Sequence, residues 1–119
     1  AGTIVANTIN TDTGLFSTQN AYQGIAKAWI QYNASTQTIT SSFNVSSVTY
    51  TSTGVFSINF ATAFANSNYV ALATTNNSNC AITVGYSGVY GPSSFQVYTW
   101  YPTNTQTNNT INNFVVFSA

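Results

Sequence analysis

Few side chains in this sequence could carry out chemistry. The 119 residues include one basic residue, Lys27, one acidic residue, Asp12, one cysteine, Cys80, and no histidine. Hydrolysis of a glycoside needs two carboxylates, and a serine or cysteine nucleophile normally needs a base beside it. Because neither set can be assembled within one chain, we expect no catalytic residues and no enzymatic activity.

Metal binding is limited by the same shortage. Zinc is held by cysteine and histidine side chains, whereas calcium and magnesium favour several oxygen ligands that include acids. The chain offers one carboxylate side chain and one thiol. We therefore expect no metal site and no cofactor.

A site for a neutral ligand remains possible, and the aromatic-rich stretch "GYSGVYGPSSFQVYTWYPTN" is the candidate. Aromatic faces stack on the apolar faces of sugar rings, while amides and hydroxyls bond the sugar hydroxyl groups, so charge is not required. The candidate ligand-binding residues are Tyr86, Tyr90, Trp100, Tyr101 and Asn104. We expect the rings of Tyr90 and Tyr101 to be the exposed ones. A core or interface position is the alternative for each ring.

The pattern within this stretch predicts a strand that presents two different faces. Alternate side chains of a strand point to opposite sides, so Phe95, Val97 and Thr99 share one face of "SFQVYTW". Tyr98 and Trp100 share the other face, and one of the two faces should be core. The expected partner strand is "CAITVGY", which lies before the Gly/Pro loop "SGVYGPS".

The composition predicts that the elements positioning these residues are strands. Thr, Val and Ile contribute 38 residues and Tyr, Phe and Trp contribute 18, which is typical of strands. No amphipathic helical pattern of useful length is present. Strand patterns recur about every 8–12 residues, and Ser52-Thr53-Gly54 predicts a hairpin turn. We expect an all-β, antiparallel β-sandwich or jelly-roll-like domain of about 7–8 strands.

The chain divides into two parts by pattern. Residues 1–20 are small and polar with isolated apolar positions, and we interpret them as an arm or as the end of a longer shaft. Residues 21–119 contain the strand patterns and are expected to form a single β-sandwich domain.

The near absence of charge restricts the possible partners. Thr, Asn, Ser and Gln make up 56 of the 119 residues. Nucleic acid and anionic membrane surfaces are excluded as partners because both are bound mainly through basic side chains. No segment has the length of a membrane span, so we expect no membrane insertion. A neutral, strand-forming chain lacks charge repulsion, which predicts a homo-oligomer or a filament.

Lys27 lies in "QGIAKAWIQYN", which reads as a strand with an apolar face and a mixed face. Ala28, Ile30 and Tyr32 would point to the first face, and Lys27 and Trp29 to the second. The candidate subunit contacts are Lys27, Trp29 and Asp12, the last as the possible acidic partner. A lysine in such a strand would fix the register or a subunit contact, because a shifted pairing would bury it unpaired. A receptor contact is the alternative role.

Several segments, in order, resemble a module near the C-terminal ends of tailed-bacteriophage tail fibres. They are "AYQGIAKAWIQYN", "SSFNVSSVTYTSTGVFSINFATAF" and "NSNYVALAT", with a looser likeness in "NNFVVFSA". The shared elements are Lys27 with an Ala-Trp pair, a Ser-Phe-Asn-Val-Ser-Ser-Val-Thr strand, a Thr-Gly hairpin, an aromatic strand and an Asn-Tyr strand opening. The likeness covers residues 21–75 and, loosely, 111–119, but not 76–110.

The resemblance implies a non-enzymatic, homotrimeric fibre domain of the virion that attaches to a host surface glycan or protein. Residues 86–94 and 102–110 would then be variable contact loops. The alternative is a subunit of an extracellular, cell-surface filament or pilus. In that case the N-terminal arm would insert as a strand into the sheet of the next subunit.

Overall fold

The computed structural model describes residues 2–3, 5, 8–11, 14–17, 23–103 and 105–118. Within these residues the chain forms ten strands and a short 3-10 turn, Tyr86–Gly88. The strands are β1 Thr8–Thr11, β2 Gly14–Ser17, β3 Ala28–Asn33, β4 Thr38–Phe43, β5 Val45–Ser52, β6 Val55–Phe60, β7 Tyr69–Thr75, β8 Ala81–Val84, β9 Ser94–Trp100 and β10 Asn112–Ser118.

Eight of the strands form two four-stranded sheets in which every pairing is antiparallel. The first sheet has the order β4-β3-β10-β7, and the second sheet has the order β5-β6-β9-β8. The connections β3–β4, β5–β6 and β8–β9 join neighbours within one sheet. The other connections among these eight strands cross between the sheets. The prediction of an all-β, antiparallel fold is confirmed.

The two sheets pack face to face around an aromatic core. The ring of Tyr32 in β3 lies 4.9 Å from that of Phe56 in β6, and the ring of Phe114 in β10 lies 5.9 Å from that of Phe95 in β9. Aromatic pairs at such separations contribute beyond the area they bury. The buried apolar residues of this core are Ala28, Ile30, Tyr32, Ala34, Phe56, Ile58, Phe60, Tyr69, Phe95, Val97, Phe114 and Val116.

The strand predicted around Lys27 begins later than its pattern indicated. Ala28, Ile30 and Tyr32 are buried as expected, but β3 begins at Ala28, so Lys27 lies immediately before the strand. Asn44, which has a φ of 54°, follows Phe43, the last residue of β4 and the partner of Trp29. The Asn44 side-chain amide donates to the Lys27 carbonyl at 3.1 Å, so this carbonyl is hydrogen-bonded to a side chain.

Both predicted hairpins are confirmed. β5 and β6 are joined at Thr53 and Gly54, and Gly54 has a φ of 72°, which suits glycine in a tight turn. β8 pairs with β9 so that Thr83 lies opposite Tyr98. The pairing of β6 with β9 then places the outer face of β9 between those of β6 and β8.

The N-terminal part contributes a hairpin of its own. β1 pairs with β2, with Thr8 opposite Ser17, in a two-stranded sheet that is separate from the two larger sheets. The interpretation of residues 1–20 as an arm or the end of a shaft stays a prediction.

Candidate functional site

The outer face of the second sheet carries two of the predicted ligand-binding residues, Tyr86 and Trp100. Phe95, Val97 and Thr99 of β9 are buried between the sheets, whereas Tyr98 and Trp100 are half-buried on the outer side. The predicted division of β9 into two faces is therefore confirmed, and its core face is the one that contains Phe95.

Three rings on this face form a continuous stack, which we call the aromatic stack. The Tyr98 ring lies 4.4 Å from the Tyr86 ring at an interplanar angle of 19°. It lies 6.3 Å from the Trp100 ring at an angle of 20°. Tyr86 is 37% exposed and forms the open end of the stack. A ring face at this end can accept the apolar side of a ligand.

The turn after β8 positions Tyr86 over Tyr98. Gly85 has a φ of 82°, and its N–H donates to the Gln96 carbonyl at 2.8 Å, which joins the turn to β9. The Val89 carbonyl in turn accepts from the Gln96 N–H at 2.9 Å. Backbone hydrogen bonds on both sides of the 3-10 turn thus hold the open ring of the stack in place.

Neutral polar side chains surround the stack. Across the sheet, Ser57 lies opposite Gln96 and Thr83 lies opposite Tyr98. Farther along the same face, the Asn59 amide donates to the hydroxyls of Ser47 and Thr49 at 3.0 and 2.9 Å. This face combines aromatic surface with hydroxyls and amides, the groups that bind a neutral sugar.

Tyr90 occupies a different place from the one predicted. Its ring is half-buried and stacks on the Tyr69 ring at 4.4 Å, and its hydroxyl donates to the Tyr69 carbonyl at 2.9 Å. The Tyr69 hydroxyl donates to the Gly91 carbonyl at 3.0 Å. The expectation of an exposed Tyr90 ring is wrong, because the loop folds back onto the edge of the core.

Burial also sets the acidity of these two phenols. Desolvation, with a smaller contribution from the neighbouring Tyr90, raises the pKa of Tyr69 to about 12. Desolvation likewise raises the pKa of Tyr90, although a backbone hydrogen bond from Ala71 opposes the shift. Both phenols are therefore neutral hydrogen-bond donors at physiological pH.

Tyr101 lies apart from the aromatic stack, at a cleft rich in asparagine. It is half-buried, and its hydroxyl accepts a hydrogen bond from the Asn77 amide at 3.1 Å. The cleft has a volume of about 430 Å³ and is lined by Asn76, Asn77, Ser78, Tyr101, Thr107, Asn108, Asn109 and Thr110. Tyr101 is thus not a freely exposed ring. The other candidate of this loop, Asn104, lies outside the described residues.

The amides of this cleft hold loops together. The Asn76 amide donates to the Thr110 hydroxyl at 2.9 Å, and the Asn108 amide donates to the Tyr50 hydroxyl at 2.9 Å. The Asn109 amide donates to the Thr75 hydroxyl at 2.8 Å. We infer a structural role for these amides, since their donors already have partners.

Below the cleft, Asn112 is fully buried and was not singled out from the sequence. Its amide donates to the carbonyls of Tyr32 and Asn109 at 3.1 and 3.0 Å. Its side-chain oxygen accepts from the Thr75 hydroxyl at 3.2 Å. The only sequence signal was its place in the apolar alternation of "NNFVVFS", where it occupies a core-facing position.

Lys27 lies at one end of the sandwich between two adjacent depressions. One has a volume of about 460 Å³ and includes Phe64 and Asn68, and the other has a volume of about 570 Å³ and includes Ile25 and Phe43. The Lys27 ammonium donates to the Ile25 carbonyl at 3.0 Å. Of its two proposed companions, Trp29 is 41% exposed on the outer face of the first sheet, and Asp12 lies outside the described residues.

The described part of the chain contains no group of three or more His, Cys, Asp or Glu side chains that could hold a metal ion. Over the same residues, no helix is both long enough and apolar enough to cross a membrane. Comparisons with protein-family models, with curated protein sequences and with solved structures find no match to this chain.

Proposed function

We propose that this chain is a non-enzymatic binding and structural module that attaches a larger assembly to a surface bearing neutral glycans. The observation that carries the proposal is the aromatic stack, which ends in the exposed Tyr86 ring and is flanked by Gln96 and Thr83. Its neighbours on the face are uncharged, which suits sugar hydroxyls better than phosphate or carboxylate groups.

The assembly that we propose is a tail fibre of a bacteriophage, in which this chain is the distal, homotrimeric, receptor-binding domain. The supporting observation is the order of the segments that resemble the fibre module. The Ala-Trp pair opens β3, the Thr-Gly pair forms the β5–β6 turn, and Asn68 immediately precedes Tyr69, the first residue of β7. The chain would then be located in the virion and contact a host surface glycan or protein.

Within this proposal, the contact surface includes the first variable loop and the outer face of β9. Tyr86 and Val89 lie in that loop and are 37% and 39% exposed. Tyr90 serves the fold instead, because it packs on Tyr69. The contact region therefore extends from the loop across Tyr98 to Trp100.

A binding assay on an array of neutral hexose and N-acetylhexosamine oligosaccharides tests the proposal. We expect selective binding that Tyr86→Ala weakens about tenfold, which corresponds to about 1.4 kcal/mol. Ile111→Ala is the matched control, because Ile111 lies outside the proposed contact surface and is 39% exposed, a fraction close to that of Tyr86. Absence of binding to every glycan, or equal losses for the two variants, would contradict the assignment.

A subunit of an extracellular filament is the second candidate. The observation in its favour is that β1 and β2 form a sheet separate from the sandwich, while β4, β5, β7 and β8 are edge strands. An edge strand can accept a strand from another chain. This candidate predicts very large polymers that no longer form when residues 1–14 are removed. Polymers that persist after the deletion would exclude this route of assembly.

A further inference from the structure

The outer face of the first sheet carries a row of apolar side chains that crosses all four strands in register. Trp29 of β3 lies opposite Phe43 of β4 and Val115 of β10, and Val115 lies opposite Leu72 of β7. We call these four residues the apolar row. Phe43, Trp29 and Leu72 are 53%, 41% and 55% exposed. A face that packed on nothing would be expected to carry polar side chains at these positions.

Apolar surface continues on both sides of the row. Val70 lies on the same face of β7 as Leu72, opposite Phe117, and is 56% exposed. At the other edge, Ile25 is 60% exposed and lines one groove with Phe43. Since a large apolar side chain can present roughly 150–250 Å² of surface, these residues leave on the order of 500 Å² open. That is near the upper end for the largest patch of a monomer, about 300–600 Å².

The size of the patch matches one side of a protein–protein interface. A standard interface buries about 800 Å² per partner, and about 60% of that area is apolar, which is about 480 Å². The patch therefore supplies the apolar area of a standard interface, and a polar border would supply the rest.

The border is present along one side of the row. The Gln31 amide donates to the Asn113 side-chain oxygen at 3.0 Å, and the Asn113 amide donates to the Thr74 hydroxyl at 3.2 Å. These residues occupy the next register positions on the same face. The arrangement resembles an interface, with an apolar centre beside a polar rim.

The low charge of this face indicates which kind of partner covers it. The apolar row and its polar border contain no charged side chain, and Lys27 lies at the edge of the patch, where it lines the groove of Ile25 and Phe43. A highly charged partner would therefore find little complementary charge on this face. A second copy of this chain is neutral overall, with one basic and one acidic side chain in 119 residues. The faces of three copies can meet around a common axis with few charged side chains near the contact and can bury their apolar rows together.

We propose that the outer face of the first sheet is the surface through which copies of this chain associate, with Trp29 and Leu72 buried at the contact. This inference names the contact surface of the homotrimer and rests on the proposed function for that stoichiometry. The glycan-binding stack lies on the opposite sheet, so association through this face leaves the stack open.

Light scattering behind size exclusion, with matched lysine substitutions, tests the surface. Leu72→Lys places a charge in the apolar row, and Phe43→Lys does the same on the opposite edge strand. Thr51→Lys is the control, because it adds the same charge at an exposed position of the second sheet. We expect the wild type and Thr51→Lys to share one oligomeric mass, and Leu72→Lys and Phe43→Lys to have the mass of a single chain. Far-ultraviolet circular dichroism checks that each variant folds.

The outcomes separate this inference from the proposed function. A folded Leu72→Lys or Phe43→Lys variant that keeps the wild-type mass, or a wild type that is monomeric, would overturn the inference. A dimer that lysine dissociates would support the surface and contradict the trimer. Glycan binding that is absent while the lysine effect holds would contradict only the proposed ligand.

Discussion

Gly54 joins the β5–β6 turn to the segment after β9, and its replacement by alanine should be costly. Its φ is +72°, and a Cβ atom there would lie 2.5 Å from the Thr99 carbonyl oxygen and 2.9 Å from the Thr107 carbonyl oxygen. Both of these oxygens belong to the backbone, so neither can rotate away from a new Cβ atom as a side chain could. The Gly54 carbonyl also accepts the Thr99 N–H at 2.8 Å.

Two costs combine at Gly54. A non-glycine residue in the left-handed region costs about 1–2 kcal/mol, and forcing an atom into filled space typically costs about 1–3 kcal/mol more. Gly54→Ala should therefore lower the free energy of unfolding by about 2–5 kcal/mol. Gly88 has a similar φ of +77°, but a Cβ atom there would have no other atom within 4 Å, so Gly88→Ala should carry only the cost of the left-handed conformation.

Urea denaturation of both variants and the wild type, at one protein concentration, measures the difference. Because association couples to stability, the concentration must be held fixed. We expect Gly54→Ala to shift the midpoint well below that of Gly88→Ala with little change in the slope. Equal shifts for the two glycines would refute the close approach of Thr99 and Thr107 to the turn.

Three further outcomes follow from buried polar groups. The Thr99 hydroxyl donates to the Thr107 carbonyl oxygen at 2.6 Å, so Thr99→Val should lower the free energy of unfolding by about 1–3 kcal/mol. Thr83 is exposed, so Thr83→Val should lower it much less, and urea denaturation measures both. Asn112→Asp would aim a carboxylate at two carbonyls, so we expect a loss of about 3 kcal/mol or more at pH 7 that is partly recovered at pH 4. Because the pKa of Tyr69 rises from 10.0 to about 12, its stabilisation is complete below pH 10 and is lost as the pH rises to 12. Thermal melts should show that fall, and Tyr69→Phe should reduce it; a flat profile would contradict the burial of the phenol.

Local pattern was sufficient to predict the core strands. In β6, Phe56, Ile58 and Phe60 alternate with polar residues and are all buried. The same period of two separated Phe95 and Val97 of β9 from Tyr98 and Trp100, and the structure shows that the face of Phe95 is the core. A half-buried strand must separate its faces in this way, because its side chains alternate regardless of what the rest of the chain does.

Contacts between distant segments were beyond the reach of local pattern. The Tyr86 ring stacks on Tyr98 only because the turn at Gly85 is bonded to β9. Tyr90 is buried because β7 brings Tyr69 beside it. A strand pattern assigns a face to each residue, but it does not specify which loop folds over that face.

In the apolar row, too, local pattern predicted one residue, and the arrangement of the others depended on contacts between distant strands. Trp29 was recognised in the sequence as part of a mixed face and as a candidate subunit contact. Its alignment with Phe43, Val115 and Leu72 depends on the order β4-β3-β10-β7, in which β10 inserts between β3 and β7. Strand order across a sheet arises from long-range pairing, so the continuity of the row became visible only in the folded chain.

The molar mass of the wild-type chain in solution, measured by sedimentation equilibrium over a wide concentration range, tests the central claim most directly. The account predicts one species at three times the 12.7 kDa chain mass. A species that remains at 12.7 kDa at every concentration would contradict it, because the apolar row would then be stable in water without a partner.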